Sequence, residues 1–395
     1  MFLKPSSLCL LTAAALSVPA SAAPDLPFWA QPAIDSGLAL AGLNGIAVLK
    51  TLSNFKGGCN PANLEIRQEW RTLSKAQRRN FIAATECLQK KPSVLPAGVA
   101  PGSKSIFDDF VFVHMRQTPT IHLTGNFLTW HRWYLHTYEA KLRECGYNGN
   151  LPYWEWGFDV NSPRDSPVFD GSDTSLGSDG AAIPHQGIQI VMPFTDLPIP
   201  FAPGTGGGCV FKGPFKNMTV HLGPVNLPLY GSANTTGQEN PALDNPRCLT
   251  RDLNPDVAKR VNSFRNTTRL ILDHDNVGSF QGHMSGDPRY VSGQVGIHGG
   301  GHFIMGGNPG SDPFVAPGDP AFYLHHAQLD RVFWIWQMLD FQNRQKVADT
   351  NTLMNTPPSA NTTVEDWLEV DPLNARVQIK EMMNTVGGKL CYIYI

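Results

Sequence analysis

The stretch Gly318-Asp319-Pro320-Ala321-Phe322-Tyr323-Leu324-His325-His326-Ala327-Gln328-Leu329-Asp330-Arg331-Val332-Phe333-Trp334-Ile335-Trp336 opens on a helix-start signal, an Asp at the expected N-cap with a Pro in the first turn. Phe322, His325, His326, Leu329, Phe333 and Trp336 follow at helical spacing, so the apolar face of this helix carries histidine. Periodicity does not choose between His325 and His326. Asp330 stands one turn further on.

Upstream, His298 and His302 are four residues apart, which puts two imidazoles on one face if the segment is helical. Between them lie Gly299, Gly300 and Gly301, each costing a helix about 1 kcal/mol relative to Ala. Packing or a bound metal must therefore hold that turn. Earlier still, Phe107, Phe110, Val111 and His114 occupy i, i+3, i+4 and i+7, predicting a short amphipathic helix with His114 facing inward. A longer helix from Gly125 to about Cys145 carries a stripe of Phe127, Trp130, His131, Tyr134 and Tyr138. His136, roughly 140° round the helix from His131, is outside that stripe. His122 falls in the link between the two helices.

One inward histidine is most simply a core residue bonded to a carbonyl. Six of them are not, because a buried imidazole without a partner costs free energy and packing gives no reason to repeat it. A metal centre accounts for all of them together. Imidazole suits copper, zinc, iron and nickel, and the lack of interleaved carboxylates argues against magnesium, calcium and carboxylate-bridged di-iron sites. Structural zinc would favour cysteine. Two three-histidine sites with open positions suit a pair of copper ions.

Composition narrows the setting. Lys4, an apolar run from Leu8 to Val18 and Ala20-Ser21-Ala22 read as a signal peptide over residues 1–22, too short to span a bilayer. With Lys4 lost, the net charge of −2 becomes about −3, and no basic patch points to nucleic acid or membrane. Sequons at Asn217, Asn234, Asn266 and Asn361 could carry N-glycans in an exported chain. Of seven cysteines, Cys9 leaves with the leader. The other six, Cys59, Cys87, Cys145, Cys209, Cys248 and Cys391, are expected to be paired, Cys209 with Cys248 first because both lie in or beside an irregular region. That region, Asn161 to about Pro246, is rich in Gly, Pro, Ser and Asp and reads as a large loop region separating two helical blocks.

The run from His114 through His122 to Asn126-Phe127-Leu128-Thr129-Trp130-His131-Arg132 resembles the first copper motif of the tyrosinase, catechol oxidase and haemocyanin superfamily. His298 and His302, then Asp319 to His326 and Asp330-Arg331, resemble the second. The likeness extends from about Arg67 to Tyr394 and is greatest to short, secreted fungal catechol oxidases. It implies His114, His122 and His131 as ligands of one copper and His298, His302 and His326 of the other, with dioxygen as co-substrate. It also places Asp330 where a carboxylate would orient ligand imidazoles. His136, His185, His221, His274 and His283 are left as structural or surface residues.

Three departures matter. Thr120 stands where many members have a cysteine thioether-linked to the second ligand, so no such crosslink is expected at His122. Tyr392-Ile393-Tyr394 resembles the pattern that closes the catalytic domain, so residues 23–395 are expected to be one tyrosinase-like domain without a C-terminal shield. Finally, members with strong monophenol activity often pair an Asn after the first ligand of the second copper with a nearby Glu. Here those positions match Gly299 and Gln294, while Phe303 could narrow the entrance.

The expected fold is mainly α, a four-helix core holding the dicopper centre inside long irregular loops with minor β. The expected reaction is oxidation of small phenolic substrates, o-diphenols to o-quinones, with weaker hydroxylation of monophenols. Oxygen carriage would need a covered site, and a di-zinc hydrolase would normally supply carboxylate ligands.

Overall fold

The computed structural model describes residues 28–191, 198–225 and 237–395. The predicted leader and the Asn234 sequon lie outside these. The helices, in chain order, are α1 (Gln31–Asp35), α2 (Leu38–Thr51), α3 (Lys75–Leu88), α4 (Ile106–Ile121), α5 (Phe127–Glu144), α6 (Pro255–Val261), α7 (Phe264–Asp273), α8 (Val277–Ser285), α9 (Gly296–Met305), α10 (Ala321–Leu339) and α11 (Ile379–Met382). The described part of the 161–246 region holds no α-helix, only a 3-10 turn and short strands.

Helix α10 is the axis of the molecule. Every residue from Ala321 to Met338 is buried, as expected of a helix surrounded by others, here α2, α5, α7 and α9. Asp319 caps it through Oδ1, which accepts from Ala321 N–H at 2.9 Å, although the helix proper begins one residue later than expected, with Pro320 at the boundary. Helix α4 is longer than predicted. Its start is fixed by a reciprocal cap in which Ser105 and Asp108 each bond the other's backbone N–H. Aromatic rings lock α4, α5 and α10 together: Tyr138 stacks on Tyr323 at 3.4 Å, and Phe110 meets Tyr134 and Tyr138 edge-on at 5.3 Å.

The strand content is minor and peripheral, five two-stranded pairings among the described residues. One of them matters to the core. Glu65–Arg67 runs parallel to Tyr392–Tyr394, and the disulfide Cys59–Cys391 ties the same two segments. Cys87 pairs with Cys145, and Cys209 with Cys248 as expected.

Candidate metal centre

Two groups of buried histidines converge: His114, His122 and His131 in one, and His298, His302, His325 and His326 in the other. His114 comes from α4, His131 from α5, His298 and His302 from α9, and His325 and His326 from α10. His122 follows the last residue of α4, in the link. The two groups adjoin, His131 stacking on His326 at 4.5 Å and His122 on His298 at 5.7 Å.

Local backbone sets the first group. His114 Nδ1 meets Phe314 O at 2.9 Å, His122 Nδ1 meets Thr118 O at 3.1 Å and His131 Nδ1 meets Phe127 O at 2.8 Å. A carbonyl can only accept, so each Nδ1 carries the proton and each Nε2 keeps a lone pair. His302 is held likewise by Gly310 O at 3.1 Å. Its Nε2 lies 3.2 Å from that of His326. The Nε2 atoms of His114, His131 and His298 are buried without any partner. Orphaned imidazole nitrogens facing one another are what a cation would satisfy, so the donor set fits a metal pair. Burial, reinforced by neighbouring imidazoles at all but His122, pushes every one of these histidines toward the neutral form: His122 down to about 4, His302 to about 3 and the others well below their usual value. Neutral imidazole is the ligating form.

The three glycines of α9 have separate explanations. A Cβ on Gly300 would fall 2.0 Å from Asn262 Oδ1, and one on Gly301 would fall 2.1 Å from the His325 ring. Both are therefore demanded by close packing. Gly299 instead borders the cavity over the histidines, with Val295 and Phe303 as its nearest neighbours. The same cavity is lined by His122, His298, His302, Leu123, Pro313, Ser285 and Ser311, and none of its lining side chains is a carboxylate or an amide.

Two expectations are corrected. Gln294 lies in a different cavity, with His274, His283 and Arg269. The bend before α9 turns on Gly293 and Gly296, both at φ +68°; Val295 borders both cavities, whereas Gln294 lines only the second. Asp330 touches no imidazole. It accepts from Arg132 Nε and from the hydroxyls of Tyr392 and Tyr394, all at 2.6 Å, with Arg67 at 3.5 Å. These cations hold its carboxyl below the usual range despite burial, which by itself would raise it. It anchors the C-terminal strand to α10, and main-chain carbonyls do the orienting that was expected of it. Arg331 in turn pairs with Glu155 at 2.7 Å.

Periodicity left His325 and His326 open and the resemblance chose His326; the structure brings both into the second group. Sequence reasoning missed the carbonyls of Phe314 and Gly310, which no local pattern announces. The histidines set aside, His136, His185, His221, His274 and His283, fall in neither group.

A helical frame that faces two histidine groups across a common seam defines a protein with a binuclear, imidazole-held metal centre. The common central domain of tyrosinase matches residues 104–339, and the chain belongs to the tyrosinase family. It is 40% identical over 315 residues to the tyrosinase-like protein orsC of Emericella nidulans, covering 76% of this chain and 81% of that one. It is 36% identical to the N-acetyl-6-hydroxytryptophan oxidase ivoB of the same organism, covering 85% and 93%. Among solved structures, a glycine-to-asparagine variant of the polyphenol oxidase from Thermothelomyces thermophila superposes with a TM-score of 0.84 at 39% identity, over 90% of this chain and 97% of that one. The protein is thus a type-3 copper oxidoreductase, with two copper ions and dioxygen as co-substrate.

Proposed function

We propose that this protein is a secreted catechol oxidase, converting o-diphenols to o-quinones far faster than it hydroxylates monophenols. The observation that carries this reading is the lining of the histidine cavity, where Gly299 offers no side chain and no carboxylate or amide stands by. A phenol, with its pKa near 10, must lose a proton before it can bind a metal, and no built-in base is poised to take it.

His114, His122 and His131 would hold one copper and His298, His302 and His326 the other. The copper pair would carry electrons from two catechols to one dioxygen, giving two o-quinones and two waters. The chain's own part is to keep every ligand imidazole neutral with Nε2 presented, and to shape an entrance for a planar ring between Leu123, Val295 and Phe303. His326 is favoured over His325 because its Nε2 lies 3.2 Å from that of His302 and its ring stacks on His131 of the other group, whereas His325 fills the slot left by Gly301.

Export is part of the same reading. It rests on the leader-like residues 1–22, three disulfides among the described residues and two exposed sequon residues, Asn217 and Asn361. Asn266 is a poorer acceptor, since its amide already donates to Arg260 O and Val261 O at 2.9 Å. Residues 23–395 would form the one catalytic domain. The test is turnover of a panel of mono- and diphenols by enzyme carrying two coppers per chain. Equal rates on both classes would refute the substrate preference.

A further inference from the structure

Among the described residues, the non-glycine positions with positive φ are Leu123, Asp349, Met354 and Asn355. Each costs an L-residue of order 1 kcal/mol and persists only where its surroundings enforce it. All four belong to one assembly, in which the loop around residues 348–362 is pressed onto the link His122–Gly125. Met354 N–H donates to Leu123 O at 3.3 Å, and Gly125 N–H donates to Thr350 O at 3.0 Å. The approach is close enough that a Cβ on Gly125 would lie 2.5 Å from Thr362.

Arg289 joins the pieces. Its guanidinium grips the Asp349 carboxylate with two bonds of 2.7 and 3.0 Å, takes Asp287 at 2.6 Å, and donates to Leu123 O at 3.2 Å. One planar fork thus ties three chain segments, which a point charge could not do as well. The link it grips carries one of the proposed metal ligands. His122 alone among the six proposed ligands lies outside a helix, at φ −123° and ψ 137°. The course of the link therefore sets where its imidazole points, and the next residue, Leu123, walls the cavity.

We propose that Arg289 is a positioning residue which, by holding the Leu123 carbonyl against the strained 349–355 loop, fixes both the His122 imidazole and one wall of the substrate cavity. This rests on the copper and catechol assignments made above. A ring approaching the metals would meet a wall whose place is set by a salt bridge some way behind it.

The test uses the purified holoenzyme, its Arg289→Gln and Arg289→Lys variants, and Asp349→Asn, which loosens the same grip from the loop side if Arg289→Gln folds poorly. Copper loss to a chelator, catechol KM and kcat, and the thermal midpoint are measured together. In Arg289→Gln or Asp349→Asn, one of the two coppers should leave at least tenfold faster and KM should rise at least fivefold, with kcat per copper-loaded molecule falling less. Arg289→Lys, keeping charge without the fork, should recover only part of this. Unchanged copper retention and KM in folded variants, or a lowered thermal midpoint alone, would overturn the proposal. Because copper loss is read by metal analysis, a parent that holds two coppers yet ignores catechol would count against the substrate reading and leave the positioning test intact.

Discussion

The two histidine groups are built by different means. In the first, all three imidazoles lean on backbone carbonyls, two of them the carbonyl four residues earlier in their own chain. In the second, His302 leans on Gly310 O, but His326 Nδ1 is buried without a partner, and His325 is wedged beside it in a gap that exists because Gly301 lacks a Cβ. Orientation is thus written into hydrogen bonds on one side and into steric fit on the other. A hydrogen-bonded imidazole should survive small shifts in packing, whereas a wedged one should not.

The largest effect tests the two groups themselves. His131→Ala and His326→Ala should each lower catechol turnover by more than the roughly 10- to 100-fold typical of losing a mere supporting partner, with copper analysis falling below two per chain. Full activity in either variant would break the assignment of that group.

Asp330→Asn comes next and separates support of the metal from support of the fold. Its loss leaves the buried Arg132 and Arg67 short of a counter-charge, so unfolding free energy should drop by about 3 kcal/mol or more. Copper per folded molecule should stay near two. A selective loss of copper from a stable variant would restore the orienting role that the sequence suggested.

Gly301→Ala sharpens the contrast directly. The added methyl collides with His325, and overpacking of this kind costs about 1–3 kcal/mol, which should appear as weakened copper retention in the second group. Gly299→Ala has only side chains to displace, Val295 Cγ1 at 2.8 Å and Phe303 beyond 3.4 Å, and should retain both metals. Equal behaviour of the two variants, read by chelator challenge and thermal melting, would mean that the wedge does not matter.

What could be read from the sequence follows the same division. Helices α4, α5 and α10 show in their periodicity because each buries an apolar face, and His114, His131 and the His325-His326 pair lie on those faces. The need of the Gly299–Gly301 turn for outside support was legible, but its source was not. Asn262 and His325 are far from it in sequence, and only a close backbone approach reveals them. Asp330 was misjudged because its partners lie up to 263 positions away in the chain, at Arg67, and in Tyr392 and Tyr394. Gln294 was misplaced because matching a motif position does not say which cavity a side chain enters, and two glycines in the left-handed region bend the chain on either side of it.

The smallest expected effect concerns that misplaced residue. If Gln294 bordered the histidine cavity, Gly299→Asn with Gln294→Glu would assemble an amide and a carboxylate around one water and give an incoming phenol a base, an arrangement worth about 100-fold or more. With Gln294 in the neighbouring cavity, the glutamate would reach no such water. Gly299→Asn alone can still place an amide between Val295 and Phe303, where it could orient a water but not take its proton. The ratio of monophenol to diphenol turnover should therefore rise less than about tenfold in Gly299→Asn, stay at the parent value in Gln294→Glu, and be no higher in the double variant than in the single one. A double variant exceeding the single one by an order of magnitude would show that the segment before α9 can turn its side chain toward the metals, and that substrate choice is set by that bend.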